Sequence, residues 1–411
     1  MKNRSAIKVA LITPVTVAIC SVSLFGQNLI WELTDAPQNG EWSSIASSAD
    51  GTRLAAVCPN LGIYVSTNSG VHWIQTKTGQ NWSCVASSSD GMTMFAGNES
   101  GGIYISTNSG MTWTPTGATN AYWDTIASSS NGVNLVAGID SGATGGVGIY
   151  TSDNSGSTWA QTSAPARATA PVTWWISVAS SSDGTKLVAA DFVSGGIYTS
   201  ANSGGNWTPT SAPTTNSWRS VASSSDGSKL VAAGVPSIGG TNGTIYTSTN
   251  SGSSWTQTRA PMENWFSVAS SADGTELAAA WIYGTSGGIY TSTNSGATWT
   301  KQTAAPNEAF WVVSSSFDGT KLVAGVNEGG IYTGTLLSAP SITTPTMLAS
   351  GQFQFSFDTA TGVNYAVQCS TNLTQWLPLV TLEGVGTPLT VTDTNATGCQ
   401  QRFYRIVATP Q

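Results

Sequence analysis

Seven carboxylates stand in segments that leave room for chemistry: Glu41, Glu99, Asp140, Asp191, Glu263, Glu308 and Glu328. Hydrolysis of a glycosidic bond needs two such groups roughly 5–10 Å apart, one as acid and one as base or nucleophile. Nothing in the spacing pairs any two of these. Five aromatic residues in the same segments, Trp174, Phe192, Trp281, Tyr283 and Trp311, offer a different chemistry. Flat apolar faces stack on the C–H faces of sugar rings, and Asp191 beside them would accept bonds from hydroxyls. With one histidine in 411 residues, a Ser-His-Asp triad or a histidine metal site lacks material, so neither metal nor cofactor is expected. A net charge of −7 argues against a nucleic-acid partner.

The elements that would position these residues come from a repeat. A Trp opens each unit nine residues before the Gly of a turn dipeptide, at Trp42, Trp82, Trp123, Trp175, Trp218 and Trp265, with Phe310 in the seventh unit. The dipeptides run from Asp50-Gly51 to Asp318-Gly319, with Asn131-Gly132 in the third. An apolar run such as Leu187–Ala190 follows, and then an Ile-Tyr pair, from Ile63-Tyr64 to Ile331-Tyr332. Each unit reads as four short strands joined by tight turns, the pattern of a β-propeller blade. The expected fold is all-β: a seven-bladed propeller over residues 28–337, closed by an N-terminal strand.

Closure rests on a missing piece. The seventh unit stops after Ile331-Tyr332-Thr333 without a fourth strand, while Trp31-Glu32-Leu33-Thr34 near the N-terminus matches the fourth-strand pattern Trp255-Thr256-Gln257-Thr258. Residues 28–35 are therefore expected to complete blade 7 and remove a free sheet edge. Thirteen of the 17 Trp then have a place in the repeat, so tryptophan abundance alone does not signal ligand binding. The fourth-to-first and second-to-third connections vary in length and should share one face; the longest are 164–174, 140–148, 235–244 and 281–287. Variable loops on a rigid scaffold are where binding is expected.

The turn before the fourth strand reads Ser66-Thr67-Asn68-Ser69-Gly70-Val71-His72-Trp73, and five more copies end at Trp113, Trp159, Trp207, Trp255 and Trp299. This resembles the Asp-box of bacterial neuraminidase (BNR) repeats, with Asn68, Asn108, Asn154, Asn202, Asn250 and Asn294 where that family has Asp. The resemblance implies a structural turn on the face opposite the functional one, in which Asn makes the same side-chain-to-backbone bond. The repeats are also similar to the propellers of photosystem II assembly factors of the Ycf48/Hcf136 type, of sortilin-like proteins and of xyloglucanases. A sialidase would need three arginines on one carboxylate; Arg167, Arg219 and Arg259 are the minimum on that face, and the Arg-Ile-Pro motif of those enzymes is absent.

The two ends of the chain differ from the repeat. Residues 1–26 have the layout of a secretory leader: three positive charges in Met1–Lys8, then an uncharged, mostly apolar Val9–Phe25. Export to the periplasm, the cell surface or the medium is expected, with no membrane-spanning segment after cleavage. Residues 340–411 carry strand-like runs at 352–357, 365–370, 376–382, 389–392 and 403–408 and read as a small Ig/fibronectin-like sandwich. The phrase from Tyr365 to Trp376 with Arg402-Phe403-Tyr404-Arg405 resembles C-terminal modules of exported bacterial proteins. In an exported chain the cysteines allow a Cys369–Cys399 disulfide and a bridge between Cys58 and Cys84, the alternative for the latter being two buried thiols.

The expected function is an exported, monomeric, non-catalytic binding protein that recognises a glycan or a cell-surface protein through the variable-loop face. The competing expectation is a glycoside hydrolase, sialidase-like or xyloglucanase-like, with an acid pair in the same loops.

Overall fold

The computed structural model describes residues 8–12, 15–21, 29–139, 147–165, 173–236, 242–336, 340, 342–397 and 401–410. Among these there are strands and turns and no helix, so no helix is long and apolar enough to cross a membrane. The chain divides into two compact units, residues 31–335 and residues 1–30 with 336–411.

The larger unit is a seven-bladed β-propeller. Blades 1 to 6 are four-stranded antiparallel sheets in sequence order; in blade 4 the strands are Trp175–Ser180, Leu187–Asp191, Ile197–Ser200 and Thr208–Pro209. Blade 7 takes Phe310–Ser315, Lys321–Gly329 and Ile331–Leu336 from one end of the sequence and Leu29–Leu33 from the other. Thr34 donates twice to the Ile331 carbonyl, through its amide and its hydroxyl, each at 2.9 Å. The next residue, Asp35, accepts from the Trp73 amide of blade 1 at 2.8 Å. Two consecutive residues thus tie the last blade to the first. The fourth strands of blades 2 to 6 are two residues long, and two of them end in proline, Pro115 and Pro209. Short edges with a missing donor offer little template for pairing with another chain.

Burial explains the repeat's composition. The Trp that opens each of the first six units is fully buried. It packs edge-on against the Tyr of the Ile-Tyr pair in its own blade, as in Trp218–Tyr246 at 5.5 Å and 82°; Phe310–Tyr332 replaces it in blade 7. Small residues on the second strand make room for the next blade: a Cβ on Gly138 would lie 2.9 Å from Trp175 Cβ, and one on Gly325 would lie 2.7 Å from Trp42 Cβ. Hydroxyls then stitch the innermost strands together. Ser44, Thr125, Ser177, Ser220 and Ser267 each accept the amide of the next blade's valine, at Val85, Val178, Val221, Val268 and Val313.

At the end of the axis bearing the Asp-Gly turns, backbone amides close a ring. Ala49 donates to Ser89, Ser89 to Ser130, Ser130 to Ser182, Ser182 to Ser225, Ser225 to Ala272, Ala272 to Phe317, and Phe317 back to Ala49, all at 2.7–2.8 Å. This collar counts the blades directly. The turns that hold it are saturated by short-range bonds. Asp50, for example, accepts from the Ser48 hydroxyl and the Thr52 amide, and Lys321 Nζ reaches across from blade 7 to its carbonyl.

Those bonds hold the carboxyl groups of Asp50, Asp226 and Asp273 down to about 2 from an ordinary 3.8, chiefly through the serine hydroxyl in the first two and the Thr275 hydroxyl in the third. Asp90, Asp183 and Asp318 are also lowered. A carboxyl group that is more acidic folded than unfolded stabilises the fold above its unfolded value, and that contribution is lost as pH falls through the folded value. The melting temperature should therefore drop steeply between about pH 4 and pH 2. Replacing Asp50, Asp226 and Asp273 together by Asn should flatten that limb in melts followed by circular dichroism; an unchanged limb would refute the assignment.

The smaller unit has two sheets. One contains Ile342–Met347, Phe353–Phe357 and Leu389–Asp393; the other runs Lys8–Ile12, Val15–Ser21, Gln401–Pro410, Val363–Ser370, Leu377–Glu383. Alternate residues Phe353, Phe355, Phe357, Tyr365 and Val367 share a core with Tyr404 and Ile406. Buried Asp393 accepts from Arg402 Nε at 2.5 Å and from the Tyr404 hydroxyl at 2.9 Å. Residues 8–12 and 15–21, read above as part of a leader, are an antiparallel hairpin whose second strand lies parallel to 401–410.

The expected bridge between Cys58 and Cys84 is not present: both are buried free thiols. Alternation along the strands separates them. Cys58 joins the cluster of Trp42 and Ile331 where blade 7 meets blade 1, whereas Cys84 joins Phe95, Ile103 and Trp123 where blade 2 meets blade 3. Burial pushes the Cys84 thiol up to about 12. Cys369 lies 3.3 Å from Arg402 Nη2; its expected partner Cys399 lies outside the described residues, as do Asp140 and Arg167.

Candidate functional site: the axial funnel

The first strands of blades 2 to 7 begin with a defect. Pairing with the second strand shifts by one residue just after the opening aromatic residue in blades 2 to 7, leaving Ser83, Asp124, Ile176, Arg219, Phe266 and Trp311 without a strand partner. A β-bulge of this kind re-aims the extra side chain. Here it turns toward the axis: these residues except Ile176 and Ser83 carry the polar or aromatic chemistry of a funnel of about 850 Å³, and all six line it. Ser43 of blade 1 occupies the matching position. The repeat is nearly uniform around this site and differs at it in almost every blade.

The funnel is two-sided. On blades 4 to 7 the rings and one guanidinium form a continuous row. Trp174 and Phe192 meet edge-on at 5.2 Å, the Arg219 guanidinium lies 5.9 Å from Phe192 and 4.0 Å from Phe266, and Phe266 meets Trp311 edge-on at 5.7 Å. Arg219 Nη1 donates to Asn264 at 3.0 Å. Burial pushes its guanidinium below the ordinary value without neutralising it, since arginine starts from 12.5. On the side of blades 1 to 3 the lining holds three carboxylates, Glu41, Glu99 and Asp124. Asp124 reaches across to accept from Trp174 Nε1 at 2.6 Å, and Glu99 accepts from Asn81.

Asp191 stands behind the row. It is 1% exposed and its carboxylate accepts from the amides of Trp174, Val193 and Ser194 and from the Ser194 hydroxyl. Phe192 donates its amide to the Trp174 carbonyl at 3.0 Å. Asp191 therefore positions Trp174 and Phe192 from below and presents nothing to a ligand, contrary to the expectation that it would receive hydroxyls.

Of the residues singled out in the sequence, Trp174, Phe192 and Trp311 come together in the funnel. Trp281 and Tyr283 do not. The second strand of blade 6 is longer than those of blades 1 to 5 and Trp281 continues it, paired opposite Trp265 and packed in the cluster between blades with Lys301 Nζ 5.6 Å over its ring. Tyr283 sits at the hairpin tip, 70% exposed. Glu263, whose carboxyl burial pushes up, lies with Lys301 and Tyr290 on that blade and does not line the funnel. Asp124 and Phe266 are the funnel residues that repeat arithmetic passes over as ligand contacts, and Arg219 enters the sequence reading only as one of three arginines that a sialidase would need. Their signal is the most variable position in each first strand, the one after the opening aromatic residue. In the turns at Asn68, Asn108, Asn154, Asn202, Asn250 and Asn294 each Asn Oδ1 accepts the amide four residues on, and the serine after each Asn takes φ of 54–60°. Among the described residues no cluster of three metal-ligating side chains exists.

No family model matches the sequence, and no curated protein does. Solved structures do. The GH74 enzyme of Niastella koreensis superposes with a TM-score of 0.60 at 16% identity, over 80% of this chain and 59% of that one. YCF48 bound to D1 peptide gives 0.57 at 14% identity, over 75% and 97%. Kuenenia stuttgartiensis hydrazine synthase gives 0.56 at 14%, over 75% and 98%. The chain thus spans about three-fifths of the GH74 enzyme. At such identities the likeness shows the propeller fold, and it joins proteins of unlike function.

Proposed function

We propose that the protein is an exported, non-catalytic binding module that takes an oligosaccharide into the axial funnel. The observation that carries this reading is the row Trp174, Phe192, Arg219, Phe266 and Trp311, contributed by four blades and aligned along one wall. Trp311 is 41% exposed, which leaves its ring free to stack on a sugar, and hydroxyl-accepting carboxylates face it from blades 1 to 3. Export rests on the charge and hydropathy layout of residues 1–25. On that reading the mature small domain keeps the three strands 401–410, 363–370 and 377–383 in its second sheet.

Binding on a glycan array, followed by calorimetry with the best ligand, tests this. Trp311→Ala should weaken the interaction about tenfold, or roughly 1.4 kcal/mol. Trp281→Ala, outside the funnel, should leave it unchanged. The reading fails if both variants bind like the parent.

A hydrolase reading draws on Glu41, Glu99 and Asp124, which share the mouth. Against it, Asp124 is committed to Trp174 Nε1 and Glu99 to Asn81. Release of reducing ends from a broad oligosaccharide panel, abolished by Asp124→Asn, would favour it over the binding module.

A further inference from the structure

We propose that the ligand of this funnel carries one isolated carboxylate, seated on Arg219: an oligosaccharide with a single uronic acid among neutral sugars. This rests on the binding reading above and specifies the ligand class.

Arg219 is the only cation among the described residues that line the funnel. Its position is costly by itself. The guanidinium is partly withdrawn from water against Phe266 and Phe192, and no carboxylate of the described residues lies within ion-pair distance; the ion pairs among the described residues are His72–Asp35 and Arg402–Asp393. A partly buried charge without a counterion destabilises the free protein. Of its five N–H groups one is engaged, by Asn264. With one face on Phe266, the remaining donors lie in the guanidinium plane, the edge that a carboxylate engages through two parallel bonds. The rings that flank it fix that plane, so the cation is pre-set in orientation before a ligand arrives.

The other wall limits how much negative charge the ligand can bring. Glu41, Glu99 and Asp124 share the same mouth, and the chain as a whole is acidic at −7. A densely sulfated or fully uronic chain would meet three carboxylates for every arginine. A neutral sugar next to the uronic acid instead offers hydroxyl donors to those carboxylates while its ring lies on Trp311 or Trp174. One carboxylate flanked by neutral residues matches both walls.

The probe is a xylotetraose bearing one glucuronic acid branch, compared with the same compound as its methyl ester, which keeps the shape and removes the charge. Calorimetry with the unaltered full-length protein should show the acid binding at least twentyfold more tightly than the ester. Arg219→Gln should erase that preference by weakening only the acid, and Arg219→Lys should restore part of it. A heparin octasaccharide should bind more weakly than the mono-acid. Equal binding of acid and ester, retention of the preference in Arg219→Gln, or tighter binding of heparin overturns the proposal while leaving the funnel reading intact. No binding of any sugar, or binding indifferent to Trp311→Ala, overturns both. The ester comparison uses the parent protein, so it stands even if Arg219→Gln does not fold.

Discussion

Asp191→Ala is expected to lower stability by about 2–4 kcal/mol, the range for removing a buried hydrogen-bonded carboxylate, and to abolish ligand binding in the funnel. The side chain contacts no ligand, so the second effect has to travel through structure. Its oxygens hold the amides of Trp174, Val193 and Ser194 and the Ser194 hydroxyl. With alanine there, three backbone donors in a half-buried loop lose their acceptor, and the segment bearing Phe192 loses its turn. Trp174 would lose the acceptor of its amide, leaving its ring bonded to Asp124 of another blade and its carbonyl to the Phe192 amide of the loosened segment. Asp191→Asn keeps one acceptor oxygen and should lose roughly 1 kcal/mol with binding mostly retained. Denaturant unfolding and calorimetry on the two variants separate the roles. If alanine unfolds like the parent, the hydrogen bonds drawn here are not what holds the loop. If it is destabilised yet binds normally, the row does not depend on that loop.

The sevenfold ring is legible in the sequence because the propeller demands the same three things of every blade. A large aromatic residue must fill the wedge between blades, a turn must reverse the chain at the axis, and a small-residue strand must pass beneath the neighbouring Trp. Trp218, Asp226-Gly227 and Leu230–Gly234 show all three in one unit. The missing fourth strand of blade 7 and its match at Trp31 are legible for the same reason. The site is only partly legible. Trp174 and Phe192 stand out as aromatic residues outside the repeat, and Trp311 beside Phe310 does too. Asp124 and Phe266 do not, because a bulge carries no glycine or proline to mark it, and Arg219 stands out only as one arginine of three. Without the bulge, strict alternation sends the residue after the opening Trp away from the axis. Trp281 misleads for the converse reason: its strand runs on where those of blades 1 to 5 end, so a residue expected in a loop is a paired strand residue with its ring between blades. The cysteines mislead because closeness along two adjacent strands says nothing about which blade interface each side chain enters.

Funnel and collar share one axis only while the ring is closed, and closure depends on the seven residues from Leu29 to Asp35. A chain beginning at residue 37 lacks Leu29–Leu33, Thr34 and Asp35, and with them every bond described here between the N-terminal segment and blades 7 and 1. It also uncovers the Gly334 backbone, over which the Trp31 ring lies so closely that a Cβ there would sit 2.9 Å from it. The strand Ile331–Leu336 becomes an open edge, and unpaired edges recruit other chains. We expect this shortened chain to lose its single cooperative unfolding transition and to sediment as a mixture of oligomers, whereas a chain beginning at residue 28 stays monomeric and unfolds in one step. Trp31→Ala in the longer chain is the graded version. The ring is partly exposed, so its loss should cost about 2–4 kcal/mol, at the lower end for truncating a packed tryptophan. Because the collar closes through Phe317 and Ala49, the residues at the seam of blades 7 and 1, amide exchange in the Trp31→Ala variant should rise there first and in blades 3 to 5 last. Uniform exchange around the ring, or a monomeric, cooperative chain from residue 37, would mean that the collar and the hydroxyl stitching of the inner strands close the propeller without the N-terminal strand.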